Sequence, residues 1–280
     1  MSNFLKRTIT GAIFLVVMIG GIIWNFYSLA GLFFLISMLG LNEFYHLLIK
    51  SGHEPQRKLG LLCGGTIFLL IAFSKLVGEQ PALYLSFVLI SCIFFAELYR
   101  NKQTPFQNIA YSLIGIIYIV IPFALWVSFL KSYSSSVGVY NPHFLLGFFF
   151  LLWTNDTGAY LVGRSIGKHK LWERISPKKT WEGFFGGLIL SIVVGYVISL
   201  FYPELHYILW MVMAVIVSCA GSMGDLVESA FKRSIDAKDS GSILPGHGGI
   251  LDRFDGVFLS TPFVLVLLQL VQTVNDLMHN

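Results

Sequence analysis

Lys6-Arg7-Thr-Ile9-Thr-Gly-Ala-Ile-Phe-Leu-Val-Val-Met-Ile-Gly-Gly-Ile-Ile-Trp24 decides the class of fold. Behind two cations, the run from Ile9 to Trp24 carries no charged residue. A signal peptide begins in the same way, but no small-x-small cleavage site follows and a second apolar stretch starts almost at once. The reading is therefore a retained first helix. The rest of the chain repeats the pattern. Of 280 residues, 55% are hydrophobic and only 12% are charged, whereas a soluble domain usually carries about 25% charged residues. Mean hydropathy is +0.73. One water-soluble core cannot hide so much apolar surface, so the bilayer has to be part of the solvent.

A spanning helix needs roughly 20 mostly apolar residues. Nine stretches qualify, near 8–26, 29–49, 59–77, 82–99, 108–130, 143–163, 183–201, 205–223 and 254–274. Backbone polar groups in lipid must be satisfied within the segment, which means helix unless a barrel closes. The alternation that a membrane barrel needs is absent. The expected fold is all-α, a polytopic transmembrane helical bundle with about nine spans. With the N-terminus cytoplasmic, 17 of the 19 Lys and Arg fall in inside segments and only Lys75 and Lys131 fall outside. That is a strong positive-inside signal. Residues 1–130 then read as N-terminal transmembrane helices. Residues 131–280 read as a C-terminal region with cytoplasmic loops at 164–182 and 224–253. Cys63, Cys92 and Cys219 stand in apolar stretches without ligand spacing, as small buried side chains do.

Polar chemistry is concentrated in three places. In Gly221-Ser-Met-Gly-Asp225-Leu-Val-Glu228-Ser229-Ala-Phe-Lys232-Arg233, four polar residues fall at i, i+3, i+4 and i+7, on one helical face. The same loop ends in Pro245-Gly-His247-Gly248-Gly249-Ile-Leu-Asp252-Arg253-Phe-Asp255, where glycines allow close backbone approach. Carboxylates beside Lys and Arg suit a hard divalent cation with phosphate oxygens; a salt-bridged surface loop is the plainer alternative. The second place is Ser176-Pro177-Lys178-Lys179-Thr180-Trp181-Glu182-Gly183. Ser176 as N-cap with Pro177 at the first helical position predicts a helix start, which favours phosphate. The third is Trp153-Thr154-Asn155-Asp156-Thr157-Gly158. Asp156 lies seven residues before Gly163, roughly 10 Å of helical rise from the inner end. Orientation came from loop charges, yet it puts all three clusters on the cytoplasmic face. Glu43, His46 and Glu97, near inner helix ends, read as snorkelling or packing residues. Gly183 and Gly187 have the spacing that lets membrane helices approach.

The run Ser229-x-x-Lys232-Arg233, Lys238-Asp239, Pro245-x-His247-Gly248-Gly249-x-x-Asp252-Arg253-x-Asp255 resembles the signature of the phosphatidate cytidylyltransferase family at every fixed position. The segments Asn155–Tyr160 and Ser176–Gly183 are similar to the family as well. The resemblance implies a helical membrane enzyme and homodimer that makes CDP-diacylglycerol from CTP and phosphatidic acid, dependent on Mg2+ with a second, monovalent cation such as K+. It implies Asp225 and Asp252 as metal ligands, with Asp156 and Asp255 as further candidates. Lys232, Arg233 and His247 would join them in catalysis. Asp156, Lys178, Lys179, Thr180, Ser229, Lys238, Gly248, Gly249 and Arg253 would contact nucleotide and lipid phosphate. No nucleic-acid partner is expected. A related CTP-dependent lipid enzyme such as a polyprenol kinase stays open beside it. A transporter is disfavoured, because transporter sites lie near the midplane.

Overall fold

A computed structural model describes the backbone of residues 3–237, 240–241 and 248–279, with side chains from 8 to 278 within those ranges. Among the described residues the chain is almost entirely helical. In order come α1 (Asn3–Trp24), α2 (Phe26–Lys50), α3 (Arg57–Ala72), the single turn α4 (Ser74–Val77), α5 (Glu79–Leu98), α6 (Pro105–Gly115) and a π-helical turn (Ile116–Val120). After these come α7 (Ile121–Val137), α8 (His143–Ile166), β1 (Lys170–Trp172), β2 (Ser176–Thr180), α9 (Trp181–Phe201), α10 (Tyr207–Ser234) and α11 (Leu251–His279). The expected spans fall on helices, except that the stretch 59–77 is divided between α3 and the single turn α4. Among the described residues, seven helical segments are long and apolar enough to cross a membrane, the α6–α7 rod counting as one. The apolar part of α1 (Thr8–Trp24) and α3, with 16 residues, are shorter. The protein is thus a polytopic helical membrane protein, as its composition predicts. Large apolar side chains on α9, among them Ile189, Val193 and Leu200, are exposed, as lipid-facing residues should be.

Local chemistry explains the breaks. Asn25 caps α2 through a reciprocal box, accepting from Ser28 N at 2.9 Å while Asn25 N donates to Ser28 Oγ at 3.1 Å. The α6–α7 rod runs for 33 residues. Pro122, at the start of α7, has no N–H to give, and the wider π turn sits immediately before it. Gly138, with φ of 77°, ends α7 in the left-handed region.

Two compact units emerge from the packing: Met1–Asn141 with Ser234–Phe254, and Pro142–Arg233 with Asp255–Asn280. The first of these units joins Ser234–Phe254 to the N-terminal helices. In the first unit, Phe33 meets Phe123 edge to face at 4.8 Å, and the Tyr45 hydroxyl donates to Ser112 O at 2.6 Å. Glu97, only 3% exposed, accepts from Gln56 Nε2 (2.6 Å), Asn108 Nδ2 (2.8 Å) and Arg100 (2.7 Å). A buried carboxylate is tolerated only with such donors, so packing, not snorkelling, is its role.

In the second unit, α8 and α9 meet backbone to backbone. A Cβ on Gly187 would lie 2.6 Å from Asn155 O, and one on Gly183 would lie 2.7 Å from Ala159 O. The small-residue spacing at 183 and 187 serves this contact. A Cβ on Gly224 would lie 2.4 Å from Asp255 O, so α10 and α11 touch as closely.

Candidate active site

The expected loop at 164–182 carries regular structure that the sequence does not suggest. Between α8 and α9 the chain forms an antiparallel hairpin, with Lys170 opposite Thr180 and Trp172 opposite Ser176. Ser176–Thr180 is therefore strand, and the helix start expected at Ser176 and Pro177 is displaced to Trp181. Thr180 is the N-cap: its backbone is extended and its Oγ1 accepts from Gly183 N at 3.2 Å. Pro177 fits a two-stranded ribbon, where a missing N–H is tolerated on the open edge. Glu182 ties the hairpin to the helix start, accepting from the backbone N–H groups of Lys168 (3.1 Å) and His169 (3.2 Å) and facing His169 Nδ1 at 2.6 Å.

The loop expected at 224–253 is shorter as well. Helix α10 stays helical through Ser234, and α11 begins at Leu251. The i, i+3, i+4, i+7 face survives as geometry. Ser229 Oγ donates to Asp225 Oδ1 at 3.3 Å, and Lys232 Nζ lies 2.8 Å from Glu228 Oε2.

Within the second unit these pieces surround a cavity of about 550 Å³. Helix α8 contributes Asn155 and Asp156, the hairpin Lys178, Lys179 and Thr180, and α10 Ser222 and Asp225. Lys179 Nζ lies 2.5 Å from Asp225 Oδ2 and donates to Ser222 O at 3.3 Å. Asp225 is also one of three carboxylates, with Glu228 and Asp255, whose ligand atoms all lie within 4.8 Å of one another. Asp156 is close enough for its charge to be felt at Asp255. Such crowding of like charge is unfavourable unless a cation offsets it. Oxygen ligands at this spacing fit a hard divalent ion. Asn155, 2% exposed, keeps its Oδ1 without a hydrogen-bond partner among the described residues.

In the first unit, Asp252 Oδ2 accepts from Ser240 N (3.2 Å), Ser240 Oγ (2.9 Å) and Gly249 N (2.9 Å). Gly248 has φ of 88°, and a Cβ there would stand 2.5 Å from Asp252 Oδ2. A Cβ on Gly249 would collide with Glu43 Oε1. Both glycines therefore bring the backbone against carboxylates of this chain. Arg233 and Arg253 are exposed. Lys238 and His247, with Asp239 and Pro245, lie outside the described residues.

On sequence alone, Glu228 falls on the polar face of α10 without being named as a ligand, and Glu43 reads as a snorkelling or packing residue. The i+3 spacing from Asp225 pointed to the first. The second carried only the general signal of an ionisable residue in a membrane helix.

The sequence model of the cytidylyltransferase family matches residues 5–271. A phosphatidate cytidylyltransferase of Staphylococcus haemolyticus (strain JCSC1435) is 35% identical over 272 residues, covering 94% of this chain and 98% of the relative. One from Staphylococcus saprophyticus is 38% identical over 276 residues, and one from Staphylococcus aureus (strain COL) is 35% identical over 276, with the same coverage.

Proposed function

This chain belongs to the cytidylyltransferase family, and from that premise we propose how its own residues carry the reaction. The protein is a nucleotidyltransferase that converts CTP and phosphatidic acid to CDP-diacylglycerol and pyrophosphate. A phosphate oxygen of phosphatidic acid forms a bond to the α-phosphorus of CTP. The bond from that phosphorus to the bridging oxygen breaks, and pyrophosphate leaves with the electron pair. A phosphate monoester has a second pKa near 6, so the nucleophile is already largely ionised at neutral pH. Positioning and charge neutralisation are what the protein must supply.

Asp225 carries this reading, because it lines the cavity and belongs to the carboxylate group. Asp225, Glu228 and Asp255 would hold the divalent metal of the family, taken here as Mg2+. When bound, the ion offsets charge on the phosphate oxygens and the leaving pyrophosphate. Asp156 would stand in its surroundings. Asp252 holds a metal role by resemblance to the family signature, as does the monovalent cation. Lys178, Lys179 and Thr180 line the cavity and would face the nucleotide phosphates. Ser229 orients Asp225. Lys232 balances Glu228, and Arg233, Arg253, Lys238, His247, Gly248 and Gly249 retain their phosphate-binding or catalytic roles by the same resemblance. We place the enzyme in the cytoplasmic membrane as a homodimer with its site facing the cytoplasm.

The direct assay is purified protein with labelled CTP, phosphatidic acid and Mg2+. Labelled CDP-diacylglycerol is the expected product; its absence from folded protein overturns the reading. Lys178→Ala or Lys179→Ala is expected to raise the KM for CTP about tenfold, in line with the loss of one charge-assisted contact worth about 1.5 kcal/mol. Unaltered CTP kinetics in both variants would remove these lysines from the nucleotide site.

Orientation has its own test. Nine spans with a cytoplasmic N-terminus put the C-terminus outside. A C-terminal reporter that is active only in the cytoplasm is expected to be silent, and an active one would break the span count.

A further inference from the structure

We propose that Glu43 of α2 is a positioning residue for the catalytic carboxylates, acting by fixing the first turn of α11. Glu43 is 5% exposed. Its Oε2 accepts from Ile250 N at 2.9 Å, and its Oε1 accepts from Leu251 N at 3.1 Å and from the Ser240 hydroxyl. The first N–H groups of a helix have no partner within it. Here a carboxylate about two hundred residues away in sequence takes two such groups at the head of α11 and caps it from another helix. Its negative charge also suits the positive end of the helix dipole.

The cap is built into a larger clamp. Ser240 Oγ reaches both Glu43 Oε1 and Asp252 Oδ2. Asp252 reaches three residues back to Gly249 N, as the carboxylate of a capping box does. Gly249 has to be glycine for this, because any Cβ would occupy the place of Glu43 Oε1. Five donors on Ser240, Gly249, Ile250 and Leu251 thus converge on two carboxylates. Asp252 lies on the turn that is held, and Asp255 follows three residues later on the same helix. Groups that orient ligand-bearing elements typically alter metal affinity or activity by about 10- to 100-fold when lost.

This inference rests on the cytidylyltransferase reading, and the test separates the two. Glu43→Gln keeps the size of the side chain but turns an acceptor into a donor facing other donors. The expected result is a kcat lowered about tenfold or more, a KM for CTP within about twofold of wild type, and a raised Mg2+ requirement. In metal-free protein, hydrogen exchange of the peptide spanning 248–256 is expected to quicken. Glu97→Gln serves as a buried-carboxylate comparator and is expected to lower melting temperature without moving the Mg2+ dependence. Wild-type kcat and wild-type exchange in Glu43→Gln overturn the proposal. Should that variant fail to fold, Ser240→Ala decides, since it cuts the bridge and leaves the two backbone bonds. Faster exchange with lower kcat upholds the proposal, and no change in either sinks it. Wild-type protein without CTP turnover would defeat the functional reading while the exchange measurement still reports on Glu43.

Discussion

Asp225→Asn is expected to lower kcat by about 100- to 1,000-fold, the loss seen when a single electrostatic stabiliser is removed from a reacting site, about 2.7–4 kcal/mol. The substitution preserves shape and removes charge, so it tests the ion and not the packing. Asp225 shares its carboxylate group with Glu228 and Asp255, and its charge also pairs with Lys179 at 2.5 Å. Losing that charge would weaken the proposed hold on a divalent ion and leave the lysine without its counter-charge. The measurement is rate against Mg2+ concentration in detergent, for Asp225→Asn, Asp255→Asn and Asp252→Asn in parallel. A lowered rate with a shifted Mg2+ requirement is expected for Asp225 and Asp255. A shift in Asp252→Asn with none in Asp255→Asn would move the ion to the pair implied by the family signature. Near-wild-type behaviour of Asp225→Asn would end the assignment altogether.

Gly224→Val is expected to abolish activity while touching no charge. The first atom of any side chain at this position would stand 2.4 Å from the carbonyl oxygen of Asp255 and 3.1 Å from Gly256 Cα. Both obstacles are backbone, so α10 and α11 must separate. Overpacking of this kind costs about 1–3 kcal/mol, and a misplacement of about 1 Å can cost about 100-fold in rate. Asp225 stands next to Gly224 on α10, and Asp255 is on the helix that would be pushed away. Activity and thermal melting in detergent are the readouts. Gly31→Ala is the comparison, because a Cβ there meets nothing within 4 Å, and it is expected to behave as wild type. An active Gly224→Val would show that the approach of these helices does not set the carboxylate geometry.

What could be read from the sequence was what depends on short range. The apolar runs located the helices because lipid leaves the backbone no other choice. The helical extension of α10 to Ser234 followed from Asp225, Glu228, Ser229 and Lys232 sharing one face. The hairpin at Lys170–Thr180 was missed because strands of three and five residues leave almost no periodic trace. Ser176 and Pro177 imitate a helix start that Thr180 provides. The grouping of Asp225, Glu228 and Asp255 depends on where Gly224 lets two helices touch, which no spacing along one helix reports. Glu43 was legible only as a polar residue in an apolar run. Its partners, Ser240, Ile250 and Leu251, are far along the chain and known only from the fold.

The Lys179–Asp225 pair has a thermodynamic consequence. In the structure each group serves as the other's counter-ion. On the proposed assignment, Asp225 engaged by a cation would give up Lys179, and Lys179 engaged by a phosphate would give up Asp225. In the proposed site either event would remove the competitor of the other, so metal and nucleotide affinities would be linked with positive sign, each raising the other by the same factor. Such a site would discriminate against a bare ion or a bare triphosphate and favour their joint arrival.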